Sequence, residues 1–298
     1  MEQPEIIIER RLYDPSDLNP STVWNNNNLD KDPTDPEYQD IKNLDRITEV
    51  KRTWLDKYID LISDRISYRF ELTDKELQVM QDASRIGRLT RNRTELFAEE
   101  LEEIEQRVAK EIPFSSGEMY FIRTDAASPK DGLPDMPATS AWDVVSCLST
   151  SHRAYMAFMD GCRTIYFMNW DPTMSTSLEM RVFIHHKRVH AISQYHSEKI
   201  CIFNSYSDSE LKRLGKRIVA FCEELTAKLA VESMVVDIGI QPNLDSKDPP
   251  VRFIELNSFG YWLSSGAGCF NWTGDRDKLY GRLGEKVFFR IVSGIKEL

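Results

Sequence analysis

The chain has 298 residues, of which 41% are hydrophobic and 29% charged, and its formal net charge is −10. This length and composition are ordinary for a globular protein with one large domain or two packed lobes. The negative charge argues against bulk binding to nucleic acid or anionic membranes. No apolar stretch approaches the ~20 residues that a membrane span needs, so we expect no membrane-spanning segment.

The five cysteines are scattered and form no CxxC pair, so we expect neither a disulfide framework nor a zinc site. The N-terminus lacks the basic region and the long apolar run of a signal peptide. Unpaired cysteines are typical of a reducing compartment. We therefore expect a cytoplasmic protein.

The first part of the chain contains an irregular segment followed by a predicted helix. Residues 13–45 are rich in Asp, Asn and Pro, which predicts either an irregular surface segment or an arm that packs on the body through Trp24 and Tyr38. From Ile47 to Ile66 the apolar residues recur every three or four positions. This spacing predicts a helix of about five turns.

Two further helices are predicted before the pattern changes. Thr73 with Glu76 three residues later matches a capping box and predicts a helix start, and a third helix is predicted from about Thr94 to Lys110. Short β-branched and aromatic stretches then predict strands. These stretches are residues 119–123, 163–170, 180–185, 188–195, 234–241 and 251–259.

The last part of the chain combines these strands with two more predicted helices. One has an apolar face from Leu211 to Leu229, with Ser209 as its predicted cap, and a final helix is predicted from Arg276 to Ile295. Helices followed by hairpins are typical of an α+β fold with mostly antiparallel sheets. The order is not that of a doubly wound dinucleotide-binding fold.

The clearest chemical signal is a set of polar residues within two apolar strands. Asp237 lies in MVVDIGI and Glu255 in FIELNSF, and Asn257 shares a strand face with Glu255. The short segment between the strands predicts a hairpin with Asp237 opposite Glu255 or one pair away. Mg²⁺ prefers such hard oxygen ligands together with phosphate oxygens, so the set predicts a metal site; the alternative is that the acids face water.

Basic residues elsewhere can complete an anion site. Arg123 ends a predicted strand, and Ser128 and Lys130 lie in the Ser-Pro-Lys-Asp turn that follows it. Arg123 and Lys130 can therefore reach one bound anion. Glu179 and Arg181 share one strand face, where they either line a site or form a structural ion pair. The sequence has neither a P-loop motif nor GxGxxG.

In order and spacing, these stretches resemble the cell division cycle protein 123 family. That family consists of ATP-grasp proteins that act as assembly chaperones of eukaryotic translation initiation factor two. The resemblance covers roughly residues 95–280, and the carrying stretches are FIRTDAASPKDG, RTIYFMNW, EMRVFI, HAISQY, VVDIGI, FIELNSFG and SSGAGCFNW. The sequence departs from the family pattern at Arg123, Met168, Tyr195, Glu255 and Ser258.

The resemblance implies an ATP-grasp fold, with an N-terminal arm and helix (1–72) and two α+β lobes (73–168 and 169–298) that clamp ATP with Mg²⁺. The implied ligands of ATP are Arg123, Ser128, Lys130, Phe167, Met168, Asn169, Trp170, Glu179 and Arg181. Of these, Lys130 and Arg181 would act on the reacting groups. The implied ligands of Mg²⁺ are Asp237, Glu255 and Asn257.

Three functions remain open at this point. The resemblance implies an ATP-dependent chaperone whose partner is a translation initiation factor subunit or another protein. Because most ATP-grasp proteins are ligases, it also implies a carboxylate–amine ligase that forms an acyl phosphate. The third is a descendant with a decayed site, which Asp237, Glu255 and Asn257 argue against, because a buried acid without a use costs stability.

Overall fold

The computed structural model of the protein describes residues 4–14, 46–114, 117–241, 249–260, 263 and 266–296. The chain divides into two compact units, Trp54–Asp171 and Met1–Thr53 with Pro172–Leu298. Within the described residues no helix is long and apolar enough to cross a membrane. The predicted division at residues 72 and 168 stays a prediction.

The described residues contain two sheets and seven α-helices. In chain order the elements are β1 Glu5–Tyr13, α1 Arg46–Lys51, β2 Ile66–Glu71, α2 Asp74–Thr90, α3 Ala98–Glu111, β3 Tyr120–Thr124, α4 Ala141–Thr150, α5 His152–Met159, β4 Thr164–Asn169, β5 Glu179–His185, β6 Arg188–Gln194, α6 Asp208–Thr226, β7 Met234–Ile240, β8 Val251–Ser258, α7 Arg276–Leu279 and β9 Lys286–Ile295. Both antiparallel and parallel pairs occur, which confirms the α+β class.

The unit Trp54–Asp171 contains an antiparallel sheet with the order β2-β4-β3. Its core lies between one face of this sheet, which contributes Ile122, Ile165 and Phe167, and the helices α2 to α5. The capping box is confirmed, because Glu76 N donates to Thr73 Oγ1 and Thr73 N donates back to Glu76 Oε2.

The long helix predicted from Ile47 to Ile66 is wrong. Helix α1 ends at Lys51, and three 3₁₀ turns follow between Leu55 and Arg65. Trp54 is extended and Leu55 N donates to Asp125 O, so the helix does not continue. 3₁₀ turns also place residues three apart on one side, so part of the apolar spacing resembled that of a helix.

The other unit contains a six-stranded sheet with the order β1-β9-β6-β5-β7-β8. Strand β9 is parallel to β1 and β6, and the remaining pairs are antiparallel. Helix α6 packs on one face, where a Cβ added to Gly215 would lie 2.9 Å from Ile6 Cγ2 and 3.3 Å from Phe289 Cδ1. Glycine at this position therefore allows the helix to approach the sheet closely.

Three expectations for this unit are corrected. The N-terminal strand β1 was not predicted, and the predicted helix Arg276–Ile295 is only the short α7 followed by β9. Strand β9 lies between two strands with both faces covered, so its run of apolar residues lacks the alternation of a half-exposed strand. The cap of α6 is Ser207 in a capping box with Glu210, and Ser209 lies inside the helix.

The predicted irregular segment, with Trp24 and Tyr38, falls largely outside the described residues.

Candidate functional site

A row of polar residues crosses the six-stranded sheet on one face. Residues that lie directly opposite one another in neighbouring strands project from the same face. The strand registers place six polar residues in such a row, one from each strand: Glu9, Arg290, Ser193, Arg181, Asp237 and Glu255. This row contributes charged and polar side chains to a sheet that is otherwise largely apolar.

Residues 266–280, which we call the cover segment, pack on the same face of the sheet. Its Phe270 and Trp272 form a buried cluster with Phe183, Val235 and other apolar residues of the strands. Trp272 is fully buried, and its ring centre lies 5.4 Å from that of Phe183. Because Phe183 and Val235 are two residues from Arg181 and Asp237, the cover segment adjoins the polar row.

One end of the row is a closed ion-pair network. Arg290 donates to both carboxylate oxygens of Asp275, at 2.6 and 2.8 Å, and to Glu9 Oε2 at 2.7 Å. Lys278 Nζ donates to Glu9 Oε1 at 2.5 Å. Burial alone would raise the pKa of Asp275, but the bonds from Arg290 outweigh it and the pKa is lowered. This network holds the cover segment on β1 and β9, so we interpret it as structural.

The other end contains a second bidentate pair, between Arg181 and Asp237. Arg181 Nε donates to Asp237 Oδ1 at 2.8 Å and Nη2 donates to Oδ2 at 2.7 Å. Arg181 Nη1 donates to Gly266 O at 2.7 Å, and the guanidinium carbon lies 5.0 Å from the ring centre of Tyr195. Burial would lower the pKa of Arg181, but the charge of Asp237 outweighs it and the pKa is raised.

The three predicted metal ligands meet beside this pair. Asp237 lies directly opposite Glu255, and the register shifts by a bulge just after it, a feature frequent next to functional sites. Asn257 Nδ2 donates to Asp237 Oδ2 at 3.0 Å. In this structure the guanidinium of Arg181 binds the carboxylate of Asp237, so positive charge is favoured at this position.

This donor set fits Mg²⁺ in its chemistry, since two carboxylates and an amide oxygen are hard ligands. Within the described residues there is no group of three or more His, Cys, Asp or Glu that could hold a metal ion. A metal at this position would therefore need further ligands besides the carboxylates of Asp237 and Glu255, and Asn257 is the nearest candidate on the strand face. The assignment of Asp237, Glu255 and Asn257 to a metal stays a prediction.

An apolar patch that the sequence reasoning missed lies beside the polar residues. Gly239 is two residues from Asp237 and opposite Glu179, which is itself 8% exposed. A Cβ added to Gly239 would lie 3.3 Å from Met174 Cε and 3.6 Å from Ile254 Cδ1. A glycine inside a strand often marks such a close approach, so the sequence did contain a signal for it.

In the unit Trp54–Asp171, the loop of residues 124–133 is fixed at many points. Arg153 Nε donates to Ser128 O at 2.8 Å, and Cys147 Sγ donates to Pro129 O at 3.4 Å. The carboxylate of Asp131 accepts from Ser151 Oγ and from His152 N at the start of α5. The backbone that carries Ser128 and Lys130 is therefore rigidly held.

Two predicted ligands on this loop differ in their surroundings. Lys130 is exposed. Ser128 is 1% exposed, and its hydroxyl has no hydrogen-bond partner among the described residues. A buried hydroxyl without a partner is costly, so this atom is a candidate for contact with a ligand or water.

Arg123 lies on the face of the three-stranded sheet opposite the helical core. It is paired with Tyr166, which is paired in turn with Arg69. Tyr166 Oη donates to Asp125 Oδ1 at 2.7 Å. Burial raises the pKa of Asp125 despite this bond. Arg69, Tyr166 and Arg123 therefore form a row on one face.

The implied ATP ligands Phe167 and Met168 lie on opposite faces of strand β4. Phe167 is fully buried in the helical core, so its side chain points away from Arg123, while Met168 is half-buried on the other face. Asn169 Oδ1 accepts from Ser67 Oγ at 2.8 Å, and Trp170 N donates to Met119 O at 2.8 Å. The predicted site residues thus form two groups, one in each unit.

Comparison with known proteins connects these observations to a family. A sequence model described as D123 matches residues 165–296, a range that contains β4 to β9 and the Arg181–Asp237 pair but not Arg123 or Lys130. No curated protein sequence matches the chain.

Several solved structures share the fold. C-terminally truncated Cdc123 from Schizosaccharomyces pombe matches with a TM-score of 0.59 and 15% identity, over 82% of this chain and 97% of that chain. Cdc123 from the same organism matches with a TM-score of 0.55 and 14% identity, with the same coverage. A RimK-domain ATP-grasp protein from Sphaerobacter thermophilus matches with a TM-score of only 0.30 and 12% identity, over 60% of this chain and 54% of that chain. A TM-score this low does not indicate a shared fold.

These matches confirm the resemblance and the fold that the sequence motifs implied. The identity to Cdc123 is low, so the structural matches establish the fold and not the activity. The chain therefore resembles the D123 family in sequence over residues 165–296 and has the α+β fold of Cdc123.

Proposed function

We propose that this chain binds ATP with Mg²⁺ at the end of the polar row that contains Arg181 and Asp237, and that it acts as an assembly chaperone for a protein partner. The observation that carries the proposal is the meeting of Arg181, Asp237, Glu255 and Asn257 within an otherwise apolar sheet. A buried ion pair is often no more stabilising than well-packed apolar residues in the same place, so its presence here supports a binding role.

Different residues of this sheet can bind different parts of the nucleotide. Arg181 offers a cation for phosphate oxygens, and Asp237, Glu255 and Asn257 offer oxygen ligands for Mg²⁺. When bound, Mg²⁺ would neutralise charge on the phosphates. Gly239 lies two residues along β7 from Asp237, and the apolar side chains of Met174 and Ile254 adjoin it; we propose that these side chains contact the base.

The loop of residues 124–133 in the unit Trp54–Asp171 by itself also offers groups that suit phosphate. Arg123, Ser128 and Lys130 provide a guanidinium, a hydroxyl without a partner and an ammonium group. Such groups are the donors that bind phosphate. We propose that they hold phosphate oxygens of the same ligand class.

The decisive test is a calorimetric titration of ATP with and without Mg²⁺. The two variants to compare are Asp237→Asn and Asp275→Asn, because both remove the charge from a bidentate Arg–Asp pair on the same sheet face. We expect the wild type and Asp275→Asn to bind ATP and Asp237→Asn to lose the metal-dependent part. Equal losses in both variants would place the effect in the stability of the sheet, and the proposal would be wrong.

The chaperone function needs a separate measurement. We expect purified subunits of eukaryotic translation initiation factor two to bind the wild type in an ATP-dependent manner, and to bind Asp237→Asn without this dependence. Phosphate release that requires a small carboxylate and an amine, with no protein partner, would instead favour the ligase.

A further inference from the structure

Both oxygens of the Asp237 carboxylate accept hydrogen bonds from groups of the protein itself. Both oxygens accept hydrogen bonds from Arg181, and Oδ2 also accepts from Asn257 Nδ2. Asp237 is 1% exposed and Arg181 8% exposed. The pair is therefore a desolvated, bidentate contact of the strong kind.

A divalent cation cannot join this contact without displacing Arg181. Mg²⁺ needs carboxylate oxygens at about 2.0–2.1 Å, and the guanidinium nitrogens already lie 2.7 and 2.8 Å from the two oxygens of Asp237. Two cations so close in a buried site repel each other strongly. The metal and the guanidinium therefore compete for one position.

Arg181 has other contacts that do not depend on Asp237. Its Nη1 donates to Gly266 O, and its guanidinium lies over the ring of Tyr195. Both partners are uncharged, so they can hold the side chain near the site without neutralising it. A guanidinium that leaves Asp237 would then favour a nearby anion.

We propose that Arg181 is the resident counter-ion of the metal site and blocks divalent cations at Asp237 until an anionic ligand attracts it. This inference rests on the proposed function, because it concerns the same site. It makes the free protein a poor binder of metal alone and couples metal binding to the binding of the anion.

The test is a titration of the nucleotide-free protein with Mn²⁺, followed by the electron paramagnetic resonance signal of the free ion. We expect Arg181→Gln to bind Mn²⁺ at least tenfold more tightly than the wild type. Asp237→Asn added to Arg181→Gln should remove the gain. Arg290→Gln is the matched control, because Lys278 stays beside Glu9 and Asp275 there, and no gain is expected.

The melting temperature gives a second measurement. Loss of Arg181 removes a charged partner from the buried carboxylate of Asp237, so Arg181→Gln should melt lower than the wild type, and Mn²⁺ should raise its melting temperature but not that of the wild type. If Arg181→Gln does not fold, Arg181→Lys replaces it. Arg181→Lys keeps a cation but loses the bidentate contact, so a gain of at least threefold in Mn²⁺ affinity is then expected.

The outcomes separate this inference from the proposed function. Wild type that binds Mn²⁺ as tightly as the Arg181 variants, or variants that fold and gain nothing, would overturn the inference even if Mg²⁺ and ATP bind together. Failure of the wild type to bind ATP with Mg²⁺ would overturn the proposed function. A gain of Mn²⁺ affinity that depends on Asp237 would still support the competition at this carboxylate.

Discussion

Replacing Gly132 with alanine tests how closely the loop of residues 124–133 fits against helix α4. A Cβ at this position would lie 2.2 Å from Cys147 O and 2.7 Å from Cys147 Sγ. The oxygen belongs to a helix backbone and cannot turn away. The loop would have to move by about 1 Å to reach an ordinary contact distance, which would strain the bonds between Leu133 and Thr150. Overpacking costs about 1–3 kcal/mol and each lost hydrogen bond about 1 kcal/mol, so we expect a loss of about 2–4 kcal/mol.

The matched control is Gly274→Ala, because the nearest atom to its added Cβ is 3.7 Å away. This change should alter stability by no more than about 1 kcal/mol and can be stabilising. Urea denaturation gives both free energies of unfolding, and an ATP titration of Gly132→Ala should show weaker binding because the loop carries Ser128 and Lys130. A Gly132→Ala protein within 0.5 kcal/mol (roughly the noise of surface substitutions) of the wild type would refute this reasoning.

Three further predictions concern single side chains. Burial and neighbouring cations lower the pKa of His185 from 6.5 to about 4, so the folded state favours the neutral ring; the stability it contributes is complete above pH 6.5 and is lost as the pH falls toward 4. His185→Gln should therefore reduce the change in melting temperature between pH 6.5 and about pH 4. Trp272→Ala should cost about 3–5 kcal/mol in urea denaturation, whereas exposed Leu283→Ala should cost less than about 0.5 kcal/mol. Thr73→Ala should cost about 1 kcal/mol through loss of its cap, and an unchanged urea midpoint would contradict this.

The strands that carry the predicted metal ligands could be predicted because the sequence patterns that indicate them are local. The strands that carry Asp237 and Glu255 are short, apolar and joined by a turn-rich segment, so their pairing followed from the sequence, and the structure places the two residues directly opposite. The capping box at Thr73 was equally local, since both its bonds lie within four residues. In both cases the residues that pair with each other lie in the same short segment of the chain.

The failures came from contacts between distant parts of the chain. Strand β9 pairs with β1 across about 280 residues of sequence, so no pattern within β9 alone distinguished it from a helix. The same holds for the partner of Asp237, because Arg181 lies on a different strand and its role as a structural pair or a site residue was left open. The orientation of Phe167 depended on which face of β4 the helices cover, which the strand pattern does not state.

The two Arg–Asp pairs on one sheet face show how similar contacts can have different roles. At the structural end, two cations accompany two carboxylates: Arg290, Lys278, Glu9 and Asp275. At the other end, the strand registers place two arginines with three carboxylates: Arg181, Arg252, Glu179, Asp237 and Glu255. The first group is neutral and is bonded within itself, so its replacement by an external ion would gain nothing. In the second group, the buried carboxylate of Asp237 is bonded to the guanidinium of Arg181, and we propose that a cation from outside the chain can take the place of this guanidinium. The contrast between the two groups supports a structural role for Asp275, and it is one basis on which we propose ligand binding at Asp237.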